Sequence, residues 1–222
     1  YYKVDELLLL KEQIASGQID RLNKRANKRN NNNNFIPLEI LKSKKSLLMV
    51  KEIILFLDNL KISIESKIFI IACYVLYRKK QLLTFDFNEI KLFKPELANR
   101  KSIINILSDF YNDNGVNIDL IDLTAVLKFD IPDGSDFIGI IYQSLLCEGD
   151  KSKLGSYYTA DNVVNLLIKD YIKPNSKVLD PCCGTGQFLT AFSKYISDPN
   201  LITGFDIDPI AVFIAKINLI LQ

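Results

Sequence analysis

Lys177-Val178-Leu179-Asp180 reads as a short strand that runs into a loop of small residues, Pro181-Cys182-Cys183-Gly184-Thr185-Gly186-Gln187. From there the chain enters an apolar-periodic stretch, Phe188 to Tyr195, that reads as a helix. A strand, a glycine loop and a helix in that order leave few architectures open. The pattern then repeats. Residues 201–205 read as a second strand that ends in Asp206-Ile207-Asp208-Pro209, and residues 210–221 as another helix. A helix over about 160–171 precedes both strands, with Thr159 placed to cap it. These elements are the start of a parallel, doubly wound α/β sheet.

The chain before this unit has a different character. Apolar residues recur at three- and four-residue steps over 47–60, 68–77, 103–111 and 137–146, which predicts helices. Pro95, Asn112-Asp113-Asn114-Gly115 and Ile131-Pro132-Asp133-Gly134 separate them. The expectation is a bundle of five or six helices with Phe69, Tyr74 and Tyr77 in its core. Residues 4–29 also read as helical, and Asn30 to Asn34 as a linker. Three segments follow: 1–34, a helix and its asparagine-rich linker; 35–150, a helical domain; and 151–222, the beginning of an α/β domain.

Composition removes several function classes. The 222 residues contain no histidine, so neither a Ser-His triad nor His-ligated zinc can be built from them. The four cysteines, Cys73, Cys147, Cys182 and Cys183, form no CxxC pair, so a zinc site or disulfide framework is not expected. With no signal peptide visible, the expected compartment is the reducing cytoplasm. The longest apolar run, 68–77, is about half of the roughly 20 residues a membrane span needs. The net charge of +2 announces no nucleic acid in bulk. Locally, Arg21, Lys24, Arg25, Lys28 and Arg29 fall mostly on one side of a helix. That side is either a phosphate-contacting face or a solvated helix end. The only methionine is Met49, and the chain stops at Gln222 inside a helical pattern, which reads as a piece of a larger protein.

The chemistry concentrates at the strand ends. A dinucleotide fingerprint would place a third glycine where Leu189 stands, and a P-loop would place a lysine after Gly186. Both are disfavoured. Asp180 at the end of the first strand would repel a phosphate and favour an ammonium group. Asp206 at the tip of the second strand is placed to accept hydrogen bonds from ribose hydroxyls, and Ile207 beside it to pack on a purine. A ligand with an ammonium group, a ribose and an adenine is S-adenosylmethionine.

The segments Leu154-Gly155-Ser156-Tyr157-Tyr158-Thr159, Val178-Leu179-Asp180-Pro181-Cys182-Cys183-Gly184-Thr185-Gly186-Gln187-Phe188-Leu189 and Gly204-Phe205-Asp206-Ile207-Asp208-Pro209 together resemble the γ-class adenine-N6 DNA methyltransferases. The closest groups are type I modification subunits and type II modification enzymes. The resemblance implies an α plus α/β fold: an N-terminal helical domain, then the start of a Rossmann-like S-adenosylmethionine-dependent methyltransferase domain. It implies that Tyr158 and Thr159 meet the methionine carboxylate. Asp180, Pro181, Gly184, Gly186 and Phe188 would line the methionine and ribose side, Asp206 would hold the ribose, and Ile207 would touch adenine. It implies double-stranded DNA as partner, with a specificity subunit or a fused target-recognition domain.

Two residues depart from the family. Ala160 stands in place of proline, and Cys182 in place of alanine, tolerable if its sulfur points into the core. The family's catalytic Asn/Asp-Pro-Pro-Tyr/Phe motif is absent from these residues. No catalytic residue is therefore expected here, and no methyl transfer from this stretch alone. Two other readings stand beside this one: a methyltransferase for another amine (cytosine N4 or a protein glutamine), and a non-catalytic docking module for a specificity subunit or DNA. Asp208 is expected to cap the following helix, and Cys183 to be packed rather than reactive.

Overall fold

The computed structural model describes residues 44–118, 124–131, 136–146, 161–168 and 171–222. Spatial contacts divide the chain into two compact units, Tyr1–Asn34 and Phe35–Gln222, and every described residue belongs to the second. The predicted N-terminal helix with Arg21, Lys24, Arg25 and Lys28 lies outside the described residues, as do Tyr158 and Thr159.

Among the described residues up to 145 there are five α-helices: α1 (Lys44–Asn59), α2 (Ile64–Arg78), α3 (Phe87–Ile90), α4 (Lys101–Asp113) and α5 (Phe137–Leu145). Ser63 starts α2 by accepting the Ser66 N–H at 3.2 Å. Every residue from Ile68 to Leu76 is buried, so this helix is apolar on all sides because other elements surround it. The one hydroxyl in this buried stretch is satisfied. The Tyr74 hydroxyl donates to the Phe129 carbonyl and accepts from Arg78 Nη1 at 2.7 Å. Phe69 and Tyr74 are core residues, as their period predicts. Tyr77 is not. It sits in the last turn of α2, 36% exposed, with its ring stacked on Phe85 at 5.9 Å.

The C-terminal part follows the predicted order: α6 (Asp161–Ile168), β1 (Val178–Asp180), α7 (Gln187–Phe192), β2 (Ile202–Gly204) and α8 (Pro209–Ile220). The strands are parallel, with Val178 opposite Ile202, Leu179 opposite Thr203 and Asp180 opposite Gly204. Val164 and Ile168 of α6 join Ala191 of α7 in a small apolar cluster. Helix α8 packs elsewhere. Ile210, Ala211, Phe213, Ile214 and Ile217 belong to the same core as α1–α5. Phe213 stacks on Phe110 of α4, with ring centroids 3.9 Å apart and planes 12° from parallel. The last helix of the α/β unit thus completes the core of the helical one. Among the described residues no helix is long and apolar enough to cross a membrane.

Candidate functional site

The carboxyl ends of β1 and β2 bring the two predicted acids into one place. Past the last paired residues, the Phe205 N–H donates to the Asp180 carbonyl at 2.9 Å and the Cys183 N–H to the Phe205 carbonyl at 2.8 Å. The glycine loop is therefore stitched to the segment that follows β2. The Asp180 carboxylate turns back on its own loop and accepts the Cys182 N–H at 3.2 Å. Burial pushes this carboxyl above the usual range, the Cys182 amide opposes the rise, and the charge of Asp206 adds to it. A carboxyl so placed is relieved by a cation beside it.

Asp206 grips both loops. Its Oδ2 accepts the Gly184 N–H at 2.8 Å and its Oδ1 the Asp208 N–H at 2.9 Å. A carboxylate oxygen has more than one acceptor position, so hydroxyl donors can still be taken up. Ile207 is 87% exposed. A cleft of about 430 Å³ opens beside Asp206 and Ile207, with Asp109 and Asp113 of α4 and Lys216 of α8 on its walls. Asp208 caps α8, as the Asp-Pro pair before an apolar run predicts, through an Ile210 N–H bond of 2.9 Å.

The two loop glycines serve different ends, though both have left-handed backbone, φ 51° at Gly184 and 88° at Gly186. A Cβ at Gly186 would lie 2.9 Å from the Ala215 Cβ, so glycine lets the loop lie against α8. A Cβ at Gly184 would meet nothing within 4 Å. Open space therefore adjoins the backbone there, and a ligand has room to approach it. Gly184→Ala is expected to lower stability by about 1–2 kcal/mol, through backbone conformation alone. Urea unfolding would measure it, and an unshifted midpoint would show that the loop does not hold this conformation.

The remaining predicted residues divide. Pro181 is exposed at the loop's start. Phe188 is half-buried against the small α6–α7 cluster, 6.1 Å from the Phe192 ring, so part of its surface is committed to packing. Cys183 is buried, and burial together with Asp180 and Asp206 raises its thiol to about 11, which leaves it unreactive at neutral pH. Cys182 is exposed rather than turned into the core. Its sulfur needs no pocket, which is how the substitution is accommodated. Among the described residues no group of three or more His, Cys, Asp or Glu could hold a metal.

Besides Asn218 of α8, whose Nδ2 donates to the Thr185 carbonyl, two residues of α5 and its cap reach these loops from outside the predicted motifs. Asp136, its N-cap, is buried and accepts from the Thr185 hydroxyl and, at 2.7 Å, from Asn218 Nδ2. Burial raises its carboxyl, against the bonds from Thr185, Asn218 and the Gly139 amide. The Tyr142 hydroxyl donates to Asp208 Oδ2 at 2.5 Å. Burial and this carboxylate both push the phenol far above its usual range. The sequence carries one signal for Asp136, an Asp directly before the apolar run that begins at Phe137. It carries none for Tyr142.

Residues 133–222 match the family described as N-6 DNA Methylase. The chain is 30% identical over 146 residues to the "Type I restriction enzyme MjaVII methylase subunit" of Methanocaldococcus jannaschii, an alignment covering 61% of this chain and 25% of that protein. It is 38% identical over 82 residues to the "Type II methyltransferase M.VspI" of Vibrio sp. (strain 343), covering 36% of this chain and 20% of the relative. The chain thus spans a quarter or less of each.

Proposed function

We propose, from the match of residues 133–222 to the N-6 DNA methylase family, that the protein is an S-adenosylmethionine-dependent DNA methyltransferase of a restriction-modification system, acting on adenine N6. The observation that carries the proposal is the pair of acids at the ends of adjacent parallel strands, joined through the Gly184 amide to Asp206. Open space at Gly184 and the exposed Ile207 beside Asp206 fit a ligand with a ribose and a flat base. In this reading Asp206 holds the ribose hydroxyls, Ile207 covers the adenine, and Asp180 draws the ammonium group with Pro181, Gly184, Gly186 and Phe188 around it. Tyr158 and Thr159 would hold the methionine carboxylate. When bound, the cofactor supplies an electrophilic methyl group. No Asn/Asp-Pro-Pro-Tyr/Phe motif stands in these 222 residues, so we assign none of them to the target amino group and expect no transfer from them alone. Calorimetric titration of the whole protein with S-adenosylmethionine tests the reading, together with transfer of labelled methyl to adenine-containing duplex DNA. Absence of cofactor binding would end it.

The partners follow from the same reading: duplex DNA, and a specificity subunit or a fused recognition domain. In this reading the chain divides near 150 into a helical domain and a cofactor-binding domain. Arg21, Lys24, Arg25 and Lys28 are assigned to DNA phosphates. Replacing all four by glutamine should flatten the salt dependence of DNA binding, by up to about 0.9 log unit per lost contact. A salt slope identical to that of the wild type would return these residues to the solvent.

A further inference from the structure

Hydrogen bonds run in a closed circuit around the two loops, and α5 closes it. From Asp136 the circuit passes to the Thr185 hydroxyl, and along the chain to the Gly184 amide. It continues through Asp206 to the Asp208 amide, at 2.8 and 2.9 Å, and from the Asp208 carboxylate to the Tyr142 hydroxyl. Tyr142 and Asp136 are six residues apart on the same helix and its cap. Asn218 of α8 braces the first contact, since its Nδ2 also donates to the Thr185 carbonyl at 2.9 Å. Asp136, Tyr142, Thr185, Asp208 and Asn218 are all buried.

The loop's shape explains how Thr185 reaches inward. It lies between two glycines in left-handed conformation, so its side chain faces the protein while Gly184 borders open space. Gly139 shows that the geometry at Asp136 is specific. A Cβ there would overlap the Asp136 carboxylate, so only glycine leaves that group where it caps α5 and meets Thr185 at once.

We propose that Asp136 and Tyr142 are positioning residues for the cofactor site, each fastening one of its two loops to α5 and together setting the distance between Gly184 and Asp206. Neither touches the ligand. Their effect is preorganisation: the loops need not be ordered when the ligand arrives. The proposal rests on the S-adenosylmethionine reading for its ligand, but the circuit can be measured without one.

The test deletes one hydroxyl at a time in the whole protein. Thr185→Val and Tyr142→Phe keep the side-chain shape. Tyr74→Phe makes the same change in the helical core, away from the circuit. Cofactor Kd is measured by calorimetry well below each unfolding midpoint, and amide exchange is followed at Gly184 and Asp208. Thr185→Val and Tyr142→Phe are expected to weaken binding at least about fivefold and to speed exchange at both amides. Tyr74→Phe should lower the midpoint and change neither. Should Thr185→Val not fold, Thr185→Ser must restore folding and the wild-type Kd. Unchanged Kd and exchange in both circuit variants, or an equal loss in Tyr74→Phe, would overturn the proposal. If the wild type binds no S-adenosylmethionine, the cofactor reading falls by itself. Exchange then decides: faster exchange at Gly184 and Asp208 sustains the positioning role, and unchanged exchange removes it.

Discussion

Phe213→Ala is expected to lower the unfolding free energy by about 3–5 kcal/mol, the usual cost of emptying a buried phenylalanine site. Phe213 is 2% exposed and sits between two rings, 3.9 Å from Phe110 and 6.4 Å from Phe69. Its neighbours come from α4 and α2, held by their own packing, so the cavity has little means of collapsing. The loss should therefore fall toward the upper end of that range. Denaturant unfolding of the whole protein measures it. A loss of less than about 1 kcal/mol would mean that α8 does not share the helical core. The substitution should also weaken the proposed cofactor site, because it loosens α8, whose N-cap Asp208 donates its N–H to Asp206.

For the ligand the largest expected effect is at Asp206. Asp206→Ala removes charge-assisted hydrogen bonds worth about 1.5–3 kcal/mol, which is roughly 10- to 150-fold in S-adenosylmethionine affinity. Asp206→Asn is no gentle alternative. Both carboxylate oxygens accept backbone N–H groups, from Gly184 and from Asp208. Whichever oxygen becomes an amide nitrogen then faces a donor, and that loop is released. Asparagine should accordingly lose affinity too, with faster exchange at one of the two amides. A dissociation constant unchanged in the alanine variant would remove Asp206 from the site.

Much of this is legible in the sequence because it is local. The glycine loop follows a short strand, the Asp208-Pro209 pair precedes an apolar run, and both specify their geometry within a few residues. Helices α1, α2, α4 and α5 are legible for the same reason, since their apolar periods repeat within each segment, whereas the single turn of α3 is too short to show one. What escapes the sequence depends on distance. Asp136 meets Thr185 across 49 residues and Asn218 across 82, and Tyr142 meets Asp208 across 66. No periodicity links such pairs. Tyr77 escapes for another reason. Its helical period matches that of Tyr74, but the helix ends at Arg78 and its buried stretch ends at Leu76. The packing of α8 against α2 and α4 is equally invisible. Its apolar residues suit either a sheet or a helical core, and only the tertiary contacts decide which.

That packing has a consequence for synthesis. Translation delivers α1 to α5 first, yet the surface formed by Phe69 and Phe110 is covered by Phe213, from more than a hundred residues later in the chain than α4's start. While the ribosome makes the intervening residues, the nascent helical bundle carries an uncovered aromatic face of the kind that aggregates or recruits chaperones. The glycine loop is in the same position. It has emerged before α8 but cannot settle against Ala215 until that helix arrives. Core and site are therefore completed by the same late event, and a nascent chain halted before Pro209 would have neither.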